Sequence, residues 1–225
     1  MISDVYNMDC MEYMKNIPDK YFDLVIADPP YELGNSSVSR SRHSGSGTLK
    51  NRVLNQQASK FEKWDKAPSK KFFTELFRVS KNQIIWGGNY FNLPPTRCIV
   101  CWDKVQPWEN FSQIEMAWTS FDYPAKLFRY DNRTGDKIHA TQKPVELYAW
   151  LLSVFKPIGG GGEIFDPMMG SQSSRIAAYK LGYDFYGCEI DGEYFRKGCE
   201  RFDRECNGIE ILSNGNRVIQ QSLFE

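Results

Sequence analysis

Asp28-Pro29-Pro30-Tyr31 sets a carboxylate and an aromatic ring around two prolines, whose fixed φ and missing amides leave a loop little freedom. A ligand with an amino group on a flat ring would find an acceptor in the Asp28 carboxylate, a second in the Pro29 carbonyl and a stacking face in Tyr31. Adenine has that shape. A second constellation lies far along the chain. Gly170 opens a strand-to-helix turn and Glu189 closes the next strand 19 residues later, close to the spacing at which a carboxylate takes a ribose hydroxyl pair. Ser171, Ser173 and Ser174 stand at that helix's N-terminus, where unpaired amides suit a carboxylate or a phosphate. An adenosine-containing ligand fits this unit, although a tight turn with a charged strand end accounts for the spacing equally well.

The elements that would hold these groups read as short apolar strands alternating with helical stretches, the pattern of an α/β fold with a mostly parallel twisted sheet and helices on both faces. Residues 22–27 form a buried strand, stopped by the two prolines. A helix near 69–79 precedes strands at 83–87, 98–102 and 114–118. Residues 144–155 read as a helix with Pro144 in its first turn. A glycine turn at 159–162 leads into a strand at 163–166, a helix with hydroxyl caps at 171–181 and a strand at 185–190.

With 225 residues, the chain suits one domain over 1–225. Its 28 basic and 28 acidic residues cancel, so a nucleic-acid surface must come from local clustering. Residues 32–63 supply one: a Ser/Gly-rich loop with six basic residues, Arg40, Arg42, Lys50 and Arg52 among them, against two acidic. The six cysteines, the lack of a signal-peptide pattern and the lack of a long apolar run point to a reduced, cytoplasmic protein without a membrane span. Cys98 and Cys101 form a C-x-x-C, but inside a strand that offset turns the side chains to opposite faces, and no metal site is expected.

Together these motifs resemble the beta class of amino-group DNA methyltransferases, in which the catalytic tetrapeptide precedes the cofactor loop. Asp28-Pro-Pro-Tyr31 is similar to the catalytic motif. Ile85-Trp-Gly-Gly-Asn-Tyr-Phe91, Val100-Cys-Trp-Asp-Lys104 and residues 112–120 resemble the strands that follow it. His139-Ala-Thr-Gln-Lys-Pro144 resembles the element before the cofactor half, Phe165-Asp-Pro-Met-Met-Gly-Ser171 the cofactor loop, and Gly187-Cys-Glu-Ile-Asp191 the ribose-binding strand. The resemblance implies a Rossmann-like methyltransferase fold, permuted in that order, and an activity: transfer of a methyl group from S-adenosylmethionine to the exocyclic amine of a flipped adenine in DNA. It implies catalysis by Asp28, Pro29, Pro30 and Tyr31. It implies a cofactor site formed by Asp9, Cys10, Asp28, His139, Lys143, Asp166, Pro167, Met169, Gly170, Ser171, Ser173, Glu189, Ile190 and Asp191, with Asp9 near the cofactor's adenine, Lys143 on the methionine carboxylate and Glu189 on the ribose.

One departure stands out. The family usually continues Gly-Ser-Gly-Thr-Thr, whereas Gly170-Ser171 is followed here by Gln172-Ser173-Ser174. If that position requires a positive φ, Gln172 costs free energy and crowds the ligand. For DNA, the basic loop is supplemented by Lys126, Arg129 and Arg133 in a polar interruption at 123–137, a short candidate recognition segment. The tail, 216–225, resembles the peptide with which bacterial proteins dock on the replication sliding clamp, through Gln220, Leu223 and Phe224, although a strand packing on its own domain accounts for it at least as well. A homodimer is a further expectation. Alternatives are methylation of the cytosine exocyclic amine, for which the family usually has Ser before Pro-Pro-Tyr, and a non-catalytic DNA-binding module of the same fold. A nicotinamide oxidoreductase would leave Asp28 to Tyr31 without a role.

Overall fold

The structure is a computed structural model that describes residues 1–32, 66–106, 112–131, 138, 142–156, 162–211 and 217–219. Strand β2 (Phe22–Ala27) is apolar on both faces and must therefore be covered on both. Leu24 and Ile26 enter one core cluster with Ile84, Trp86, Leu147 and Ala177; Phe22, Val25 and Ala27 enter a second with Phe72, Leu76, Ile85 and Phe165. Helices α1 (Cys10–Met14) and α2 (Lys70–Val79) cover the second side, while α3 (Val145–Val154) and α4 (Ser173–Leu181) cover the first. Phe165 is fully buried and stacks on Phe22 at 4.6 Å. Truncating it to Ala would cost about 3–5 kcal/mol.

The eight-stranded sheet comprises β1 (Ser3–Tyr6), β2, β3 (Ser80–Trp86), β4 (Ile99–Asp103), β5 (Ile114–Thr119), β6 (Lys126–Arg129), β7 (Glu163–Asp166) and β8 (Asp184–Cys188), in the order β1-β8-β7-β2-β3-β5-β4-β6. Only β5 runs against its neighbours; every other pairing is parallel. From β2 the chain moves outward to β3, whereas from β7 it moves the other way to β8. The strand order therefore reverses between β2 and β7, and the crevice at the carboxyl ends of such neighbours is where open α/β sheets bind ligands. Asp28 to Tyr31 leave β2 at that crevice, and Asp166 to Gly170 leave β7 there.

Two expectations are corrected, and one open alternative is decided. The polar interruption contains the edge strand β6, paired in parallel with β4, and its Arg129 is held by Asp103 at 2.9 Å. Four residues of weak alternation, Lys126-Leu-Phe-Arg129, carry too little hydrophobic signal to announce a strand. The start of the tail takes the strand alternative: β10 (Arg217–Ile219) lies antiparallel to β9 (Ile209–Ile211). The hydroxyl-capped helix instead begins at Ser173, with Gln172 in the N-cap position and no side-chain cap. Strand β1, α1 and α5 (Gly192–Cys206) were not evident from the sequence pattern. Cys98 packs with Val100 and Trp102 while Cys101 points to the other face, as the strand parity requires. Arg40, Arg42, Lys50, Arg52, Arg133, His139, Gln220, Leu223 and Phe224 lie outside the described residues. Among the described residues no helix is long and apolar enough to cross a membrane.

Candidate active site

The corner after β2 is braced from three directions. The Tyr31 hydroxyl donates to Asp28 Oδ1 at 2.6 Å. The tyrosine ring lies over Gly87, where a Cβ would sit 2.2 Å from Tyr31 Cε1, so the glycine is required by this approach as well as by its φ of 66°. Tyr90, on the single 3-10 turn Gly88–Tyr90, stacks on the same ring at 5.2 Å and 21°. Burial, reinforced by Asp28, drives the Tyr31 hydroxyl far above its ordinary pKa. It stays protonated at neutral pH and acts as a fixed donor to the carboxylate.

Lys143 comes in just ahead of α3, buried to 3% side-chain exposure, with Nζ 2.5 Å from Asp28 Oδ2 and 3.1 Å from Glu115 Oε2. The Lys143 ammonium is thereby shared between two carboxylates of the chain itself. Burial alone would lower the Lys143 pKa, but Asp28 and Glu115 outweigh it and the net shift is upward. Glu115 also contacts Lys104. Burial works to raise the Glu115 pKa, yet Lys143 and Lys104 together bring it down to about 2. The Trp86 ring lies 5.1 Å from the Lys143 ammonium. Sequence reasoning missed Glu115. The available signal was parity: in Ile114-Glu-Met-Ala-Trp-Thr the glutamate shares a face with Ala117 and Thr119, both fully buried, and a charge on a buried strand face needs a partner.

On the other side of the crevice, Glu189 directly follows β8 at 9% exposure. Its Oε2 accepts from the Gly170 amide at 2.9 Å and its Oε1 from the Asp191 amide at 2.8 Å. Each oxygen keeps a further lone pair. Burial pushes the Glu189 pKa up. Asp166, 2% exposed, accepts from Ser174 Oγ at 2.5 Å and from the Met168 amide at 3.0 Å. Burial raises its pKa to about 7. Asn7 ties β1 to the same edge by donating to the Glu189 carbonyl at 2.7 Å. Asp9 follows as the exposed cap of α1, accepting from the Met11 amide. Cys10 is buried, its thiol pushed up to about 12 by burial and Asp9. Ile190 is 69% exposed, an apolar surface beside the Glu189 carboxylate.

The turn between Gly170 and α4 answers the concern over Gln172. Its φ is 61°, so the strain is present. Its side chain, however, is fully buried against α5, with Nε2 donating to the Phe195 carbonyl at 3.3 Å and Oε1 accepting from Arg175 at 2.9 Å. It packs on Gly198, where a Cβ would meet the Gln172 side chain at 2.7 Å. The glutamine therefore points into the core and does not crowd the turn. Arg201, from α5, braces the turn by donating to the Ser171 carbonyl at 3.1 Å and to Ser173 Oγ at 2.8 Å. That brace also escaped the sequence reading, since an arginine on an amphipathic helix normally reads as solvated.

Residues 85–200 match the family model described as DNA methylase, of the N6/N4 type. The chain is 24% identical to the type II methyltransferase M.HinfI of Haemophilus influenzae, over 94% of this chain and 72% of that one. It is 24% identical to M2.MboI of Moraxella bovis, over 88% and 87%. Among solved structures, a putative DNA modification methylase from Thermus thermophilus superposes with a TM-score of 0.56 at 17% identity, covering 92% of this chain and 97% of that one. The PvuII cytosine-N4-specific DNA methyltransferase gives 0.56 at 13% identity, covering 92% and 94%. The neighbours share the fold, and the family match, which starts on β3 and runs through both the Lys143 and Glu189 elements, decides the assignment: this chain belongs to the amino-group DNA methylase family.

Proposed function

We propose that the chain transfers a methyl group from S-adenosylmethionine to the exocyclic amine of adenine in DNA. The observation that carries this reading is the crevice between β2 and β7. A rigid acceptor corner, Asp28 to Tyr31, opens beside two carboxylates, Asp166 at the end of β7 and Glu189 just past β8, which are stabilised by hydroxyl and amide donors. S-adenosylmethionine supplies an electrophilic methyl carbon and carries positive charge. The donor set fits it: Glu189 keeps lone pairs for a ribose hydroxyl pair, Asp166 would take the methionine ammonium, and Ile190 would offer an apolar surface to an adenine ring, with Asp9 at its edge. Pro167, Met169, Gly170, Ser171, Ser173 and Asp191 shape the pocket, and Gly187 leaves room for Met169, since a Cβ there would stand 2.7 Å from the Met169 sulfur.

An exocyclic amine conjugated to its ring is a poor nucleophile. Asp28 and the Pro29 carbonyl accept hydrogen bonds from it out of the ring plane and localise the nitrogen lone pair toward the methyl carbon. Formation of the N–C bond would be matched by breaking of the C–S bond to leave a neutral thioether, and the amine's surplus proton would pass to Asp28 or to solvent. Pro30 holds the two acceptors in register. Fixing both reactants in line replaces a bimolecular encounter, worth up to about 7–11 kcal/mol in well-oriented systems. An amine inside a duplex is out of reach, so the base is extruded, with Tyr31 offsetting part of the unstacking. Its ring is already stacked on Tyr90, so the incoming base competes with Tyr90 for it. Arg129, exposed on β6, contacts phosphate together with the basic loop, whereas Lys126, at an odd offset on the same strand, faces the other side of the sheet with Phe128.

The test is nucleoside mass spectrometry of unmethylated DNA incubated with the protein and isotopically labelled S-adenosylmethionine, with Asp28→Ala as control. Labelled N6-methyladenine is expected from the native chain and none from the variant. Labelled N4-methylcytosine would overturn the base assignment, which rests on aspartate rather than serine before Pro-Pro-Tyr. Folded protein yielding no labelled nucleoside would favour a DNA-binding module.

A further inference from the structure

We infer that Glu115 is a positioning residue for methyl transfer: acting through the Lys143 ammonium, it sets where the Asp28 carboxylate stands against the target amine. The inference rests on the proposed methyl transfer, and it concerns a residue that neither the motifs nor the family resemblance marks.

Asp28 is asked to do three things at once. One oxygen takes the Tyr31 hydroxyl, the other takes Lys143, and the lone pairs left over must meet the amine. A carboxylate offers about four acceptor sites, so the number suffices, but direction decides whether the free ones face the base. Tyr31 alone cannot settle direction, because a carboxylate with one fixed partner still rotates about its terminal torsion. The second fixed point is Lys143, a long flexible side chain that arrives from a different element, 115 residues away in sequence.

What fixes Lys143 is Glu115. The ammonium bridges Asp28 Oδ2 at 2.5 Å and Glu115 Oε2 at 3.1 Å, over the Trp86 ring. Glu115 is itself anchored on β5, which runs against both of its neighbours in the eight-stranded sheet, and is held from its far side by Lys104. The four groups alternate in sign from Lys104 to Asp28 and sum to zero. That alternation has a second effect. An ammonium with a single carboxylate in a low-dielectric site concentrates its whole charge on that partner, which would blunt Asp28 as an acceptor for a neutral amine. Shared between two carboxylates, Lys143 orients Asp28 without saturating it. A pair that served stability alone would need only Lys104 with Glu115 on neighbouring strands; the bridge to Asp28 is what ties β5 to the reacting corner.

The test is steady-state and single-turnover methylation by the full chain carrying Glu115→Gln, Glu115→Asp, Lys143→Met, or Glu115→Gln with Lys143→Met, alongside calorimetric binding of S-adenosylmethionine. Misplacing a reacting group by about 1 Å costs on the order of 10²-fold, so Glu115→Gln is expected to lower kcat by about 10- to 100-fold, with the DNA KM and the Kd for S-adenosylmethionine within about 3-fold of native. Glu115→Asp, which keeps the charge, should recover part of that loss. In the Lys143→Met background, Glu115→Gln should cost nothing further, because the path through the ammonium is already gone. Native kcat in Glu115→Gln, or a loss that multiplies undiminished with that of Lys143→Met, overturns the inference. Should Glu115→Gln fail to fold, the aspartate variant carries the test: a kcat loss with unchanged Kd supports positioning, and native kcat refutes it. An inactive native chain would instead sink the methyl-transfer reading, so the two failures are distinguishable.

Discussion

The two sides of the crevice handle buried charge in opposite ways. On the β2 side, Asp28 and Glu115 are matched by Lys143 and Lys104, and the cluster is electrically balanced. On the β7 side, the largest side-chain charges acting on Asp166 are other carboxylates, Asp28 and Glu189, and both Asp166 and Glu189 lean on hydroxyl and amide donors. Burial accordingly raises Asp166 and Glu189 while Glu115 is held low. A balanced pocket suits a neutral ligand, and a pocket with excess negative charge suits a cation. The proposed reading needs that difference, with a neutral base on one side and a sulfonium bearing an ammonium on the other.

The comparison breaks most directly at Asp28. Asp28→Asn keeps the shape of the corner, removes one negative charge and turns an acceptor into a donor beside Lys143. Loss of one preorganised partner at a reacting group costs about 10²–10³-fold in kcat, and that fall is expected in a methylation assay while S-adenosylmethionine affinity stays near native. A parallel collapse of cofactor affinity would mean that the two sides are not separable. Gly87→Ala attacks the same side without altering charge. Its Cβ would strike the Tyr31 ring, and displacing Tyr31 from Asp28 should lower kcat by about 10²-fold, again with cofactor affinity retained.

The β7 side sharpens through pH. Asp166 titrates near pH 7 because burial raises it, so below that pH it is increasingly protonated and neutral. Only its ionised form pairs with a cation. S-adenosylmethionine binding to the native protein should therefore weaken as pH falls from about 7 to 5.5, by up to about tenfold per unit for one linked proton. The window lies below the pKa of an α-amino group, about 7.7–8.0, so the ligand keeps its charge throughout. Asp166→Asn should bind more weakly at pH 7 and show no such slope. A native Kd that is flat over this range would remove Asp166 from the cation site.

How much of this was legible in the sequence follows the same division. The corner was readable because proline and tyrosine identities alone define a rigid, stackable loop, and the β7 to β8 unit was readable because its turn, helix stop at Gly182 and apolar strands agree locally. Neither Glu115 nor Lys104 announced a role, since their meaning depends on which strands become neighbours: β5 inserts between β3 and β4 against the sheet direction, and no local pattern encodes that. Strand β1 and β6 were missed for a related reason. Both are short edge strands with half-buried alternation, so their pairing, not their composition, makes them strands. Lys143 was found without the two carboxylates it pairs with, because a motif specifies a residue and leaves its neighbours to the fold.

The smallest effect concerns the turn at Gln172, which lies on the β7 side but serves packing. A non-glycine residue at φ 61° carries about 1–2 kcal/mol of strain, while its buried side chain returns hydrogen bonds to the Phe195 carbonyl and Arg175 worth about 1 kcal/mol each. Gln172→Gly relieves the strain and forfeits the contacts, so its stability should fall by no more than about 1–2 kcal/mol. Gln172→Ala keeps the strain and forfeits the same contacts, and should be less stable than the glycine variant by about 1 kcal/mol. Denaturant unfolding of the three proteins gives the order native, glycine, alanine. Cofactor affinity should hardly move, because the side chain faces α5. If the glycine variant bound S-adenosylmethionine much more tightly than native, the glutamine would be reaching the pocket after all, and the crowding argument would return.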